Sequence, residues 1–373
     1  MKTGSRVESK PGRLPSVDGI RGLSIGLVIL GHASGTILVF PRWLIPGMLV
    51  LGNAGLGVSF FFVISGYLIT DLLLREIEGT GQLSFYNFYV RRVTRIFPAF
   101  YVYLAFIGVL SFLRAVTVTP ADLIVSACFL WNYLPVTSGS WWLGQTWSLC
   151  IEEQFYLLWP MILVSLGRKK AWRLALVIVC IEPLIRILTY ILLPSLRARI
   201  PVMLHTRADI LMFGCLLALS QSTDPLYRLL ARLSQPLYLS FAAIYLFLVD
   251  PLLAYHFRGF YILPFGFTLE GIGITLIVFT VLHKPDSRIA TLLRYRFLVW
   301  TGLISYSLYL WQQVFLTPMN KTMFGVFPIN LVFAFMIAAA SYYMVEKPVL
   351  RMRPKLLRES SKHTSSAVPK VGN

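Results

Sequence analysis

An arginine and a histidine lie eleven residues apart in one long apolar stretch near the amino terminus. The stretch, PSVDGIRGLSIGLVILGHASGTILVF at residues 15–40, is about one membrane crossing long and contains Arg21 and His32. Eleven residues at 100° each end about 20° past three whole turns, so both side chains share one helix face, roughly 16 Å apart along it. Because such groups are costly in lipid, this face has to meet protein or water. A histidine placed there could serve as a general base.

Simpler interpretations of the two residues stay open at this stage. His32 could be an ordinary hydrogen-bonding group between helices, and Arg21 could be a flanking positive charge that sets membrane orientation. The same stretch carries two small-xxx-small pairs, formed by Gly22, Gly26, Gly31 and Gly35. Their spacing permits close helix packing, which favours an internal site over a lipid-facing one.

A second pair of candidate residues follows a run of aromatic side chains. Arg92 and Arg95, within FYVRRVTRIFPAFY, are three residues apart and would project from one helix face at the cytoplasmic boundary. Guanidinium groups bind phosphates through two parallel hydrogen bonds. If these residues only set membrane orientation, lysine would serve equally well. The presence of arginine therefore favours the interpretation that the pair binds phosphate.

Acidic residues in apolar stretches are the candidate partners of the histidine. Glu152 and Glu153, within TWSLCIEEQFYLLWP, point about 100° apart, so at most one of them faces a given cavity. A buried carboxyl group that lacks an ion pair could hold a proton beside an imidazole. The alternative is a structural hydrogen bond or ion pair to a neighbouring helix. We favour Glu153, which lies near the depth expected for His32.

Two further acids have simpler predicted roles. Asp209 and Arg207, in RADILMFG, would form a surface pair at the outer end of a helix, or line an extracytoplasmic mouth. Glu182 and Arg186 have the spacing of an intrahelical ion pair.

The remaining acids in apolar segments are assigned no chemistry. Glu270 has no partner that the sequence identifies, and Glu346 would form a surface ion pair beside Lys347. Asp18 would pair with Arg21 or cap the start of the first helix.

The composition indicates an all-α, polytopic membrane protein. Of 373 residues, 57% are hydrophobic and only 13% are charged, and the mean hydropathy is +0.70. Soluble domains carry roughly 25% charged residues. The net charge of +18 comes largely from basic clusters, which belong in the cytoplasm together with both termini. About ten transmembrane helices are predicted, at 19–40, 49–74, 96–113, 144–167, 172–193, 207–221, 235–255, 260–282, 297–316 and 326–345.

Other segments complete the predicted organisation. The regions expected are a cytoplasmic tail at 1–14, a transmembrane domain at 15–350 and a basic, disordered tail at 351–373. Residues 83–95 alternate aromatics with arginines, which is typical of an interfacial amphipathic helix. Residues 121–140 would be partial or re-entrant, because a full crossing would place a basic cluster outside. No cleavable signal fits, and the four cysteines show no metal-binding or disulfide pattern.

Seven motifs occur in series across roughly residues 14–350, and together they carry a resemblance. They are DGIRGLSIGLVILGH, FFFVISGYLI, FYVRRVTRIFPAFY, TWSLCIEEQFYLLWP, RADILMFGCLLA, GLISYSLYLWQQ and YYMVEKP. Each is weak alone, but in this order they make the chain similar to acyltransferase family 3. Members of this family are integral-membrane acyltransferases that modify bacterial envelope carbohydrates.

The resemblance implies roles for residues of these motifs. His32 would be the essential histidine of an Arg-x10-His motif, and the arginine pair would bind the acyl-CoA donor. The candidate site consists of catalytic His32 and Glu153 and of substrate-binding Arg21, Arg92, Arg95, Glu152 and Asp209. The chain departs from many members at Gln312 and Gln313, which replace a second histidine and a tryptophan.

The implied function is O-acyl transfer in the bacterial cytoplasmic membrane. An acyl group, acetyl by default, would pass from cytoplasmic acyl-CoA to a hydroxyl of an exported carbohydrate or glycolipid. Acetyl-CoA would be a substrate, with no permanently bound cofactor, metal or nucleic acid. Because the hydrolase-like domain fused to some relatives is missing, the chain would complete transfer itself or use a separate periplasmic transferase.

Two functions of other classes compete with acyl transfer. One is a transporter or flippase for a lipid-linked sugar, with His32 as a proton relay. The motif series and the lack of an internal repeat count against it. The other is a membrane scaffold without chemistry, which would leave the polar face of Arg21 and His32 without a purpose.

Overall fold

Every element that the structure describes is helical. The computed structural model describes residues 14–37, 52–134, 140–221 and 224–354. The helices, numbered in chain order, are α1 (Pro15–Ser34), α2 (Ala54–Thr80), α3 (Phe85–Phe112), α4 (Pro120–Ala127), α5 (Thr146–Leu192), α6 (Ala208–Leu219), α7 (Pro225–Leu233), α8 (Pro236–Phe257), α9 (Gly259–His283), α10 (Arg288–Leu293), α11 (Arg296–Leu303), α12 (Ser305–Phe315) and α13 (Ile329–Pro354). Short 3₁₀ turns lie between several of them.

Within the described residues, six helical segments are long and apolar enough to cross a membrane. They are α2, α3, α5 with the turn before it, α8, α9 and α13. The predicted all-α membrane fold is confirmed, whereas the count of ten spans stays a prediction. Helix α13 continues to Pro354, past the predicted domain end at 350, and the rest of the predicted tail lies outside the described residues.

Helix α5 consists of two helices joined end to end. Gly167 has φ of +67° and ψ of 170°, a backbone conformation that is open to glycine and strained for other residues. The break falls at the last residue of the predicted span 144–167, just before the predicted span 172–193.

The chain divides into two compact units. Of the described residues, those within 14–71 and 166–306 form one unit, and those within 72–165 and 307–354 form the other. The predicted site residues Arg21, His32 and Asp209 lie in the first unit; Arg92, Arg95, Glu152 and Glu153 lie in the second.

In the first unit, α1 packs against α11 at backbone contact distance. A Cβ on Gly22 would lie 2.1 Å from the carbonyl oxygen of Leu298, and one on Gly302 would lie 1.8 Å from that of Asp18. Only glycine permits this approach, which confirms close packing at Gly22 but not the predicted pairing of Gly22 with Gly26. Gly26, one turn further along α1, would place its Cβ in open space.

In the second unit, α3 is one continuous helix. The prediction of a separate interfacial helix at 83–95, followed by a span at 96–113, was therefore wrong. The chain passes through Pro98, which removes only one backbone hydrogen bond. Aromatic packing holds the helix at this point, since Phe97 and Phe100 stack on Phe129 with ring centroids 5.5 and 4.8 Å apart.

The described part of the predicted partial segment is too short to cross a membrane by itself. Helix α4 has eight residues, which span about 12 Å. Its start is fixed by a capping box between Thr119 and Asp122, and a single 3₁₀ turn at Trp131–Tyr133 follows it.

The packing of α1 predicts opposite effects of one substitution at two glycines. Gly22→Ala should lower stability by about 1–3 kcal/mol, because the new methyl group overlaps the backbone of α11. Gly26→Ala is the matched control and should be neutral or slightly stabilising, since alanine is the better helix former. Thermal unfolding of the detergent-solubilised proteins measures both, and equal melting temperatures would contradict the close contact.

Candidate functional site

His32 lies in the last turn of α1, which ends at Ser34. The predicted helix at 19–40 would have placed the imidazole in its interior, and this prediction was wrong. The helix stops because the Thr36 hydroxyl and backbone N–H both donate to the Ala33 carbonyl, at 2.7 and 2.9 Å. The imidazole is half-buried. A helix carboxyl end favours positive charge, so this position suits a histidine that becomes protonated.

Arg21 has a protein partner in the first unit. Its Nη2 donates a hydrogen bond to Ser305 Oγ at 3.1 Å, and its side chain is half-buried. Ser305 opens α12, directly after the helix that α1 contacts through glycines. The arginine is therefore fixed within the protein, so it is more than an orientation signal.

Asp209 is buried in an ion pair that the sequence did not predict. Arg186 Nη1 lies 2.8 Å from Asp209 Oδ2, and both side chains are 0% exposed. Thr268 of α9 joins them, because it accepts from Arg186 Nη2 at 2.9 Å and donates to Asp209 Oδ2 at 3.2 Å. The predicted surface pair of Arg207 with Asp209 was therefore wrong.

The predicted intrahelical pair of Glu182 with Arg186 was also wrong. Glu182 Oε1 instead accepts a hydrogen bond from the backbone N–H of Ala208 at 2.9 Å. This carboxylate thus binds the first turn of α6, where free N–H groups and the helix dipole favour negative charge. Sequence spacing could not reveal that both side chains reach another helix.

Glu270 and Arg207 belong to one buried chain of hydrogen bonds. Arg207 Nη2 donates to Ser59 Oγ at 3.0 Å, and Ser59 donates to Glu270 Oε2 at 2.8 Å. The guanidinium group also lies 3.9 Å from the centre of the Phe267 ring. Glu270, for which the sequence offered no partner, is thus linked to α2 and to an arginine.

Asp250, another buried acid of the first unit, was missed by the sequence analysis. Asp250 is 4% exposed, and its Oδ1 accepts from Tyr261 at 2.7 Å and from Tyr245 at 3.4 Å. The signal that could have found it is an aspartate inside the predicted span at 235–255, because an acid within a membrane helix needs a partner.

In the second unit, Arg92 is held between aromatic rings. Its guanidinium carbon lies 5.7 Å from the centre of the Phe88 ring and 5.4 Å from that of Tyr156. Its buried Nε has no hydrogen-bond acceptor among the described residues. The charges of Glu152 and Glu153 act on it favourably, so Arg92 is near both predicted acids.

One carboxylate oxygen of Glu153, Oε1, lies buried in the second unit without a hydrogen-bond donor among the described residues. The next side chain, Gln154, donates to the Phe129 carbonyl at 2.9 Å and to Asn132 Oδ1 at 3.0 Å. Glu153 is thus positioned by burial and by the charges around it.

Gln312 and Gln313, where the resemblance led us to expect a histidine and a tryptophan, form a buried amide chain. Gln312 Nε2 donates to Gln313 Oε1 at 3.1 Å, and Gln313 Nε2 donates to the Trp141 carbonyl at 2.8 Å. They are 0% and 2% exposed. Amides do not titrate, so this position offers hydrogen bonds but no acid or base.

Glu346 is buried, which contradicts the predicted surface ion pair with Lys347. It is 3% exposed, and its Oε1 accepts a short hydrogen bond from Ser307. The hydroxyl oxygens of Ser307 and Ser341 are also hydrogen-bonded to each other, at 2.9 Å. The acid of the EKP motif therefore fastens α13 to α12, while Lys347 lies over the ring of Tyr343 at 4.7 Å.

The structure brings together only some of the predicted site residues. Arg92 lies near Glu152, Glu153 and Arg95, all in the second unit. In the first unit, Arg21 and Asp209 bind different partners. The pairing of Glu153 with His32 stays a prediction.

Apolar helices long enough to cross a membrane, with buried carboxyl and guanidinium groups among them, define a multi-pass helical membrane protein. The acyltransferase 3 family model, described as "Acyltransferase domain", matches residues 14–345. The chain belongs to this family. No solved structure matches it significantly.

Relatives that match the chain are named as O-acetyltransferases. A protein of Bacillus subtilis, provisionally named peptidoglycan O-acetyltransferase YrhL, is 30% identical over 90% of this chain and 55% of the relative. From Staphylococcus aureus, O-acetyltransferase OatA is 28% identical over 91% of this chain and 57% of the relative. Another Staphylococcus aureus protein, SAR0937, is provisionally named an O-acetyltransferase. It is 28% identical over 94% of this chain and 59% of the relative. The chain thus spans between 55% and 59% of these relatives' length.

The buried ion pair predicts that Asp209 acts mainly on stability. Asp209→Asn should destabilise the protein by about 3–5 kcal/mol, because the substitution leaves the charge of Arg186 buried and unpaired. Asp286→Asn, at an exposed position, is the control and should change stability by no more than about 0.5 kcal/mol. Melting temperatures in detergent compare the two. A variant at Asp209 that melts like wild type would contradict the structural role.

Proposed function

We propose that the chain is a membrane-bound O-acyltransferase. It transfers an acyl group, acetyl by default, from cytoplasmic acyl-CoA to a hydroxyl of an envelope carbohydrate or glycolipid. The observation that carries the proposal is the family match over residues 14–345, which includes His32 and both arginine motifs. The names of the relatives support acetyl transfer, and the name of the Bacillus subtilis relative gives peptidoglycan as its acceptor.

The chemistry that we assign to His32 is proton transfer at the acceptor hydroxyl. The imidazole takes the proton as the hydroxyl oxygen forms a bond to the thioester carbonyl carbon. The C–S bond then breaks, and the CoA sulfur leaves as a thiol once it receives a proton. The position of His32 at the carboxyl end of α1 stabilises the imidazolium that exists between these steps.

We assign the phosphates of the donor to the arginine-rich part of α3. Arg91, Arg92 and Arg95 lie in its first half, and guanidinium groups bind phosphate through paired hydrogen bonds. Arg21, bound to Ser305, and Glu152 stay predicted substrate-binding residues. For Asp209, complete burial with Arg186 favours a structural role over contact with an acceptor.

The location that we propose is the bacterial cytoplasmic membrane, with both termini inside. Two routes are compatible with this proposal for the last step. The chain hands the acyl group to the acceptor itself, or passes it to a separate periplasmic transferase. Family membership favours either route over the transport of a lipid-linked sugar.

The first test concerns His32. His32→Ala should lower acetyl transfer at least about 100-fold, which is the contribution typical of a general base. His256→Ala removes an exposed histidine and is the matched control. Mass spectrometry of O-acetyl groups on envelope glycans, in a deletion strain that expresses each variant at equal level, gives the readout. Activity above about a tenth of wild type would exclude the role of general base.

The second test concerns Glu153. Glu153→Gln keeps the shape of the side chain but removes its charge, so turnover should fall strongly while acetyl-CoA affinity stays nearly unchanged. Glu78→Gln, at an exposed position of α2, is the control. Rates of acetyl-CoA consumption and equilibrium binding separate the two effects. Full turnover of the Glu153 variant would show that another group supports the base.

A further inference from the structure

Two buried polar atoms of the second unit have no hydrogen-bond partner among the described residues. One is the side-chain oxygen of Gln145, and the other is the indole nitrogen of Trp311. The two residues are only 3% and 8% exposed. An unpaired polar group in the protein interior costs free energy, and a buried tryptophan N–H usually has a partner. These two atoms therefore indicate a place that suits another polar group.

The orientation of the Gln145 amide is fixed by its other end. Its Nε2 donates to the Leu310 carbonyl at 3.2 Å, so the unpaired end of the amide is the oxygen, which can only accept. The indole N–H of Trp311 can only donate. Since Leu310 directly precedes Trp311 on α12, both atoms belong to the junction between α12 and the start of α5. One hydroxyl group can satisfy both, because it donates and accepts.

Aromatic rings surround this junction. The Tyr103 ring meets Trp311 edge-on, with ring centroids 5.5 Å apart, and the Phe106 ring lies 5.1 Å from the same indole. The Tyr103 hydroxyl donates to the Trp142 carbonyl at 2.6 Å, which holds α3 against the turn before Gln145. Phe106 is 36% exposed, so the cluster extends from the interior to the surface. Aromatic rings with a few well-placed polar groups are typical of small-molecule sites.

The polar side chains at this junction are neutral amides, an indole and a phenol. The buried amide chain adjoins Gln145, because Gln313 binds the Trp141 carbonyl and a Cβ on Gly144 would lie 3.5 Å from Gln313 Nε2. Such groups form hydrogen bonds without carrying charge at neutral pH. They suit a neutral ligand that carries hydroxyl groups, whereas the phosphates of the donor call for guanidinium groups.

We propose that Gln145 and Trp311 form a hydroxyl site, which binds one hydroxyl group of the acceptor sugar. This hydroxyl donates to Gln145 Oε1 and accepts from Trp311 Nε1, while the C–H surface of the sugar ring packs on Tyr103 and Phe106. The inference rests on the proposed function, since the sugar is the acceptor of the acyl group. Neither an amide nor an indole takes a proton, so the bound hydroxyl orients the sugar and a different hydroxyl is acylated.

Two substitutions test the hydroxyl site in the full-length protein, held in phosphatidylcholine nanodiscs. Trp311→Phe and Gln145→Met remove the hydrogen-bonding atoms but keep apolar side chains in place. Each should weaken binding of chitotetraose, a soluble oligomer of N-acetylglucosamine, about threefold to tenfold, the loss expected for one neutral hydrogen bond. Because one hydroxyl contacts both residues, the double variant should lose less than the product of the single effects. Calorimetric titration measures these affinities, and CoA binding should stay unchanged.

Trp172→Phe and Gln235→Met are the matched controls. Trp172 donates its indole N–H to Ser220 Oγ at 3.2 Å in the first unit, and Gln235 is exposed. Both should bind chitotetraose like wild type. Site variants that bind it as tightly as these controls would overturn the hydroxyl site and leave the proposed function standing.

Melting temperatures in the same nanodiscs show whether each variant is folded. Trp311→Phe leaves the hydrogen bond between Gln145 and Leu310 intact. It therefore decides the question even when Gln145→Met is poorly folded. A site that holds only an ordered water would give variants with altered melting temperature and unaltered sugar binding, and this result also overturns the proposal.

A measurement in cells covers a wild type that does not bind chitotetraose. Mass spectrometry of envelope O-acetyl groups compares Trp311→Phe with Trp172→Phe at equal expression. Lower O-acetylation by Trp311→Phe, with unchanged CoA binding, supports a hydroxyl site for another sugar, whereas equal O-acetylation overturns it. A wild type that acetylates no envelope glycan contradicts the proposed function, and chitotetraose binding alone then decides on the hydroxyl site. The two proposals therefore fail in distinguishable ways.

Discussion

The ion pair between Arg186 and Asp209 illustrates the constraint on which the first unit depends. Charges inside an apolar helix bundle are stable only when other groups of the protein compensate them. Helices α5, α6 and α9 each contribute to this pair, and Glu182 in turn binds the backbone at the start of α6. The rotation of each helix is thereby limited, because a turned helix would leave a buried charge exposed to lipid.

The fold could be predicted from sequence wherever the cause is local. Apolar length locates helices such as α8 and α9, and the break at Gly167 follows from a residue that tolerates positive φ. The prediction erred where a boundary depends on contacts. Helix α1 ends early because Thr36 closes it by a hydrogen bond, and α3 continues through Pro98 because aromatic rings pack around it. Neither contact has a signature in residue spacing.

The candidate site was less predictable than the fold, since its partners come from distant segments. The sequence identified Arg92 and Glu153 as functional candidates, but it could not pair them, because they are about sixty residues apart and the phase of each helix was unknown. It assigned Glu346 to the surface, although its partner Ser307 is 39 residues away in sequence. Residue types indicate which chemistry is possible. Tertiary packing decides which side chains lie close enough to take part in it together.

The length of α13 has a practical consequence for protein engineering. The family match ends at residue 345, but the helix continues without interruption to Pro354. A truncated version cut at the homology boundary would lose the carboxylate of Glu346 that binds Ser307, together with every basic group of the last two turns. Purification tags, fluorescent fusions and crystallisation chaperones are therefore better attached after a spacer that leaves this terminal helix whole.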